Sequence, residues 1–268
     1  MTKQYAIGME NYFLGATVLS FSTQAPTAPA ANLLNAFTWS KWQGLTTGGD
    51  NVVFDLGSAK DVDYFAVAEV NWPRYDGTIT IQSSPDAVSW TTQNTIYAQA
   101  APTAPFYVPT PRCMATAFPA VITARYWRIV TSATSDALPS IGVISIGKWV
   151  IPEIGEFVGL APPENNRNVD IYNALSDTGN FLGRSIVDKG TRLHMTLDLI
   201  DPSWVNTYGN RLIRILEVRP VFVAYPPVSS AVAGGTQVGY LHSDGDIDSP
   251  TNSRTTKMKM SFKLRGIR

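Results

Sequence analysis

VVFDLGSAKDVDYFAVAEVNW, Val52 to Trp72, decides the fold class. Val52, Phe54 and Leu56 alternate with Val53, Asp55 and Gly57, so the stretch reads as a strand, a turn and a second strand. Gly77–Thr92 (GTITIQSSPDAVSWTT) continues in the same way: Ile79 and Ile81 alternate with Thr78 and Thr80, and a Ser-Pro-Asp turn precedes Trp90. Ala124–Ser132 (ARYWRIVTS) closes the block. A period of two in β-branched and aromatic residues marks strands, because successive side chains of a strand point to opposite faces.

Outward from this block, the signals are looser. Gly15–Phe21 (GATVLSF) reads as a short buried strand, and Gln24–Ala36 as a loop or linker carrying Pro26 and Pro29. Trp39 and Trp42 lie before a Gly-Gly turn. Between Trp90 and Ala124 come Pro102, Pro105, Pro109, Pro111 and Pro119. Proline removes a backbone donor and fixes φ, so an irregular surface excursion is expected here, with no helix and no central strand. Ser140–Val150 (SIGVISIGKWV) alternates and would complete the unit, and Pro152 and Gly155 mark its end.

The succession FDLGS, VD, ITIQSS, SW and ARYWRI resembles the discoidin-like (coagulation-factor type C) galactose-binding β-sandwich family over residues 30 to 150. The resemblance implies a jelly-roll sandwich with Trp90 and Trp127 in its core. It also implies that loops at one end of the sandwich carry ligand.

At 268 residues the chain exceeds the usual size of a single core, so two domains are expected. Zero formal net charge gives no global attraction to nucleic acid or to an anionic membrane. A single cysteine, Cys113, excludes an intramolecular disulfide. The first residues, MTKQYAIGMENYFLG, lack the apolar core of a signal peptide, and no apolar run is long enough for a membrane span. Synthesis and folding in a cytoplasm are therefore expected.

The C-terminal part reads as three strands, a helix and two more strands. Val169–Ala174, Phe181–Val187 and Arg192–Ile200 are the first three, with Leu193, Met195, Leu197 and Leu199 on one face of the third. Asp201 reads as a helix N-cap and Pro202 as the first helical residue. Val205, Tyr208, Leu212, Ile215 and Leu216 then share a helical face. Arg219–Tyr225 is a strand. Thr256–Arg265 is the clearest strand of all: Met258, Met260, Phe262 and Leu264 point inward, and Lys257, Lys259, Ser261, Lys263 and Arg265 outward. The phrases LGRSIVDKGTRLHMTLDLIDPSWV and RPVFVAYP with this last strand resemble a block in tailed-phage tail-tip and distal-tail proteins. That resemblance covers residues 155 to 268 and implies a tube-like β-sandwich with one flanking α-helix. The expected division is an N-terminal strand and linker (1–29), a discoidin-like β-sandwich (30–151) and a tube-like domain (152–268). Which domain residues 1–23 join is left open.

Catalysis needs convergent titratable groups, and this chain offers few. His194 and His242 have no metal-ligand spacing to another His or Cys, and Cys113 has no His near it in sequence. HSDGDID (His242–Asp248) resembles part of a calcium loop, but Thr255 stands where an EF-hand needs its closing Glu. No catalytic residue, metal or cofactor is assigned. The loop Asn71–Gly77 (NWPRYDG) places the flat faces of Trp72 and Tyr75 beside the charges of Arg74 and Asp76. Stacking surfaces with polar groups suit sugars. Trp39, Lys41 and Trp42 are expected to line the same end; the alternative is that these aromatics pack on a neighbouring subunit or cap the core. The Lys257, Lys259, Lys263 and Arg265 stripe faces either an acidic neighbour, such as Asp198 or Glu217 of the next subunit, or protects an edge strand by its charge.

Three functions compete. The first is a structural component of a phage tail tip or baseplate, closing into a homo-oligomeric ring, most simply a hexamer, with other tail proteins as partners and the virion as location. The second is a carbohydrate-binding module acting in attachment to surface glycans. The third, a glycan depolymerase, lacks an assignable acid pair.

Overall fold

The structure, a computed structural model, describes residues 6–47, 49–71, 77–97, 113–132, 138–152, 167–225, 237–245, 247–254 and 256–267. The chain is mainly β. In order, the strands are β1 (Ala6–Gly8), β2 (Thr17–Phe21), β3 (Trp42–Gln43), β4 (Asn51–Ala68), β5 (Thr78–Ser84), β6 (Thr91–Tyr97), β7 (Cys113–Thr131) and β8 (Ser140–Ile141). They continue with β9 (Val143–Gly147), β10 (Trp149–Val150), β11 (Arg167–Leu175), β12 (Phe181–Ile200), β13 (Val221–Tyr225), β14 (Gln237–Ser243), β15 (Thr251–Arg254) and β16 (Lys257–Ile267).

The expected sandwich is present. One sheet runs β2-β4-β7-β5-β6, with β9 also pairing β4, and a small sheet joins β3 to β8. Phe54, Phe65, Ile79, Ile81, Trp127, Ile129, Ile144 and Ile146 meet in its core, joined by Phe13, Leu33 and Trp42. The Ser-Pro-Asp turn forms as read. Asp86 Oδ1 accepts from Val88 N at 2.9 Å, Ser89 N at 2.8 Å and Ser84 Oγ at 2.8 Å. These bonds, the backbone donors first, hold its carboxyl at about 2 against an ordinary 3.8. The unfolded chain therefore binds more protons than the native one between these values. The turn's contribution is full above about pH 4 and is lost as the pH falls toward about 2. The stability deficit of Asp86→Asn should accordingly be constant from neutral pH down to the ordinary Asp value and shrink below it in urea titrations. A deficit unchanged at the acid end would contradict this.

The second unit is an eight-stranded sheet, ordered β10-β1-β13-β14-β16-β12-β11 with β15 on β16. Alternation divides its residues between two faces. Ile7, Leu193, Met195, Val221, Val223, Met260, Phe262 and Leu264 form a core with the helical segment, through Trp204, Val205, Leu212 and Leu216. Ala6, Phe222, Ala224, Val238 and Tyr240 pack instead against Tyr64, Ala66, Ala68, Cys113 and Val143 of the sandwich. One sheet face thus carries the helix, and part of the other carries the sandwich.

The linear division at residues 29/30 and 151/152 does not match this pairing. β1 pairs with β13 and with β10, so both ends of the sandwich segment run into neighbouring strands of the second sheet. β2 instead pairs with β4. Residues 6–8 therefore join the second unit and residues 17–21 the sandwich, which makes the sandwich an insertion between β1 and β10. Polar groups fix the junction: Tyr64 Oη donates to the Glu10 carbonyl, Arg219 Nη2 donates to the Met9 carbonyl at 2.7 Å, and Arg211 pairs with Glu10 at 2.7 Å. Burial raises the pKa of the Asp63 carboxyl, which accepts from Trp149 N at 2.7 Å.

Several local readings differ from expectation. Val52–Trp72 reads as two strands about a turn, but Asn51–Ala68 is one strand, whose register to β7 shifts between Asp55 and Lys60. Phe181–Val187 and Arg192–Ile200 likewise join in the single strand β12. Gly15–Phe21 reads as a buried strand, yet β2 is mostly exposed, with Leu19 at 49% and Phe21 at 44%. Pro119 lies within β7, but at a bulge: the register to β4 jumps from Val62↔Ile122 to Tyr64↔Ala117, which leaves exposed Pro119 outside the ladder. Pro102, Pro105, Pro109 and Pro111 lie outside the described residues. In β12 the inward alternation ends at Leu197. Leu199 takes φ +59°, and Ile200 is buried in its place opposite Met258. The helix starts at Pro202 as expected, yet Asp201 makes no side-chain cap bond; its carboxylate takes Lys257 Nζ at 2.5 Å. The helical segment runs as Pro202–Trp204, a π-helical turn Val205–Gly209 and Asn210–Leu216. The wide turn buries Val205 and Gly209 just after the buried Trp204, and leaves Tyr208 exposed. A Cβ at Gly209 would stand 2.8 Å from Met260 Sδ, so glycine lets the helix approach the sheet.

Candidate functional site

The loop between the 3-10 turn Ala30–Leu34 and β3 is held from both sides. Asn35 Oδ1 accepts from Phe37 N at 2.8 Å, and Asn35 Nδ2 donates to Ser40 Oγ at 3.1 Å. Asn32 Nδ2 donates to the Lys41 carbonyl at 2.8 Å, and Tyr240 Oη, from the second sheet, donates to the Ala36 carbonyl at 2.9 Å. The loop so fixed turns two rings outward. Phe37 is 58% exposed and Trp39 79% exposed. Their ring centroids lie 5.8 Å apart at an interplanar angle of 25°, forming a stacked pair.

Charge and strain lie behind this pair. Glu69 is buried, and its carboxylate lies 3.6 Å from Lys41 Nζ. Its backbone sits at φ +55°, a conformation costly for a residue with a Cβ. Gly142 makes room for it. A Cβ at that position would stand 2.7 Å from Glu69 Cβ and 3.1 Å from the Thr38 carbonyl. Gly142 N bonds the Ala68 and Glu69 carbonyls, at 3.2 and 3.1 Å. Two residues on, Asn71 clamps the facing segment: its Nδ2 donates to the Leu138 carbonyl at 2.7 Å and its Oδ1 accepts from Ser140 N at 3.0 Å.

Of the residues read from sequence as a ligand loop, Trp72, Arg74, Tyr75 and Asp76 lie outside the described residues. Trp39 is on the surface as expected. Trp42 is not: it is 1% exposed and packs in the sandwich core, because β3 turns its side chain inward opposite Ile141. It caps the core and does not line a ligand surface. Trp127 is fully buried and stacked on Phe118 at 5.9 Å. Trp90 is only half-buried, with the Arg128 guanidinium 4.4 Å over its ring, so it covers the outside of the sheet. Phe37 and Glu69 were missed by sequence reading. A charged residue closing the apolar run of β4 was the available signal for Glu69.

The remaining candidates fall into place. His194 is exposed and shares a 2.9 Å hydrogen bond with Ser261 Oγ. His242 Nδ1 lies 2.8 Å from the Ser243 carbonyl, and Asp244 pairs with Arg192 at 3.2 Å. Cys113 is buried at the junction, its Sγ 3.5 Å from the Ile267 carbonyl, which keeps it from acting as an accessible nucleophile. Among the described residues no group of three or more His, Cys, Asp and Glu converges as a metal site. The basic stripe of β16 is exposed at Lys259 and Lys263, and Lys257 and Arg265 are half-buried. β16 is paired on both sides, by β14 and by β12 and β15, so edge protection is not its role.

No protein-family model matches the chain, and no curated protein matches it. Among solved structures, it is similar to chitosan-binding module 1 of a chitosanase/glucanase from Paenibacillus sp. IK-5, at 17% identity and a TM-score of 0.42, over 52% of this chain and 99% of that one. The family 32 carbohydrate-binding module of Streptococcus pneumoniae EndoD matches at 14% identity and 0.42, over 52% and 100%. A family 32 module of a family 31 glycoside hydrolase from Clostridium perfringens matches at 14% and 0.40, over 50% and 94%. Each likeness spans about half of this chain.

Proposed function

We propose that the sandwich is a glycan-binding module and that the Phe37–Trp39 pair is its stacking platform. The observation that carries this reading is the exposed, stacked pair, held by Asn32, Asn35 and Tyr240 rather than left loose. The C–H faces of a pyranose ring bury apolar surface on such rings, and the adjoining Lys41 ammonium offers hydrogen bonds to hydroxyl or carboxylate groups. A rigid aromatic platform loses little entropy on binding. Binding without turnover is part of the proposal. A glycan array probed with the intact protein tests it: spots that bind wild type should lose signal with Trp39→Ala. An array silent to wild type, or release of new reducing ends on incubation, would contradict it.

A second reading is a self-assembling structural component of a phage tail tip or baseplate. It rests on the sequence resemblance of residues 155 to 268, and the exposed β11–β12 ribbon described below favours it. The basic stripe gives it less support than expected, since Asp201 of the same chain already holds Lys257.

A further inference from the structure

β11 and the first half of β12 project from the second sheet as a two-stranded ribbon. β11 runs beside β12 from Arg167↔Thr191 to Leu175↔Phe181, and β16 joins β12 only from Thr191 onward. Among the described residues no third strand pairs with residues 172–185. Tyr172, Asn173 and Ala174 are all exposed, as are Phe181, Leu182, Arg184 and Ser185. Neighbours on a strand point to opposite faces, so both faces of the ribbon are bare. Tyr172 is 65% exposed, Phe181 60% and Leu182 68%.

The ribbon is nevertheless a built element. Its turn closes with Ser176 N to the Asn180 carbonyl at 2.8 Å, Gly179 N to the Ser176 carbonyl at 2.8 Å and Asn180 N to Ser176 Oγ at 3.0 Å. Gly179 supplies the φ of +83°. Across the strands Arg184 Nε donates to Asn173 Oδ1 at 3.0 Å, and its guanidinium lies 6.0 Å over the Phe181 ring. A two-stranded hairpin bare on both faces is marginal in water, and its open edges are templates for another strand.

We infer that this ribbon is the arm by which one copy of the chain docks on another, ribbon against ribbon. The charge of its exposed part favours a like partner: Arg184 on β12 balances Asp177 at the turn. A surface of mixed sign and zero net charge complements its own copy better than a strongly charged partner. Unpaired strand edges add main-chain hydrogen bonds, with the apolar side chains filling the contact. The inference is independent of glycan binding.

Sedimentation velocity of the full chain tests it. Wild type should sediment above the monomer, and the triple variant Tyr172→Ser, Phe181→Ser, Leu182→Lys should sediment as a monomer with an unchanged circular-dichroism melt. A wild type that stays monomeric throughout the micromolar range, or a folded variant that assembles like wild type, would overturn it. Hydrogen exchange of wild type gives a readout that needs no variant: amides of residues 172–185 should gain protection as concentration rises. Exchange there that is independent of concentration would also overturn it.

Discussion

Trp127→Ala is expected to cost about 3–5 kcal/mol of stability, the usual loss on emptying a large buried aromatic site. Trp127 is fully buried, lies opposite Phe54 on β4 and Ser83 on β5, and stacks on Phe118. Its indole Nε1 has no hydrogen-bond partner among the described residues, so truncation sacrifices mainly packing. Trp90→Ala should cost about 1 kcal/mol, since it gives up a half-exposed cation–π contact with Arg128. Chemical denaturation separates the two variants. Equal losses would mean that the core of the sandwich does not sit where these strands place it.

Removing residues 1–9 should have the other large effect, on the second unit. Ile7 and Met9 are 0% and 1% exposed, and β1 is the strand that joins β10 to β13. Emptying two such sites costs about 2–5 kcal/mol each before the broken ladder is counted, against a typical total of about 5–15 kcal/mol. The shortened chain should therefore lose hydrogen-exchange protection over β12, β13 and β16. Unchanged protection would show that β1 is dispensable and that the two units simply follow one another.

Local chemistry made much of this fold legible. Ile79 and Ile81, the Asp86 turn and the Met258-to-Leu264 face all behave as their alternation and turn residues say they should. The partner of β1 was not legible, because three residues carry little pattern and their ladder lies at the other end of the chain. Pro119 misled because a proline is excluded from a ladder but not from a bulge. The helical face slipped because a π-turn adds a residue that a 3.6 period does not foresee. At the candidate site, composition pointed to Trp39 and Trp42 alike. Only the inward turn of β3 separates them, leaving one on the surface and one in the core.

The most direct test of the central claim is a calorimetric titration of the intact protein with the glycan that binds it best on the array. Wild type should saturate, and Trp39→Ala should bind roughly tenfold or more weakly, an aromatic anchor being worth about 2 kcal/mol. Trp39 is almost bare, so the variant's unfolding midpoint should stay that of wild type. Equal affinity in the two proteins would contradict the placement of the glycan on the Phe37–Trp39 pair.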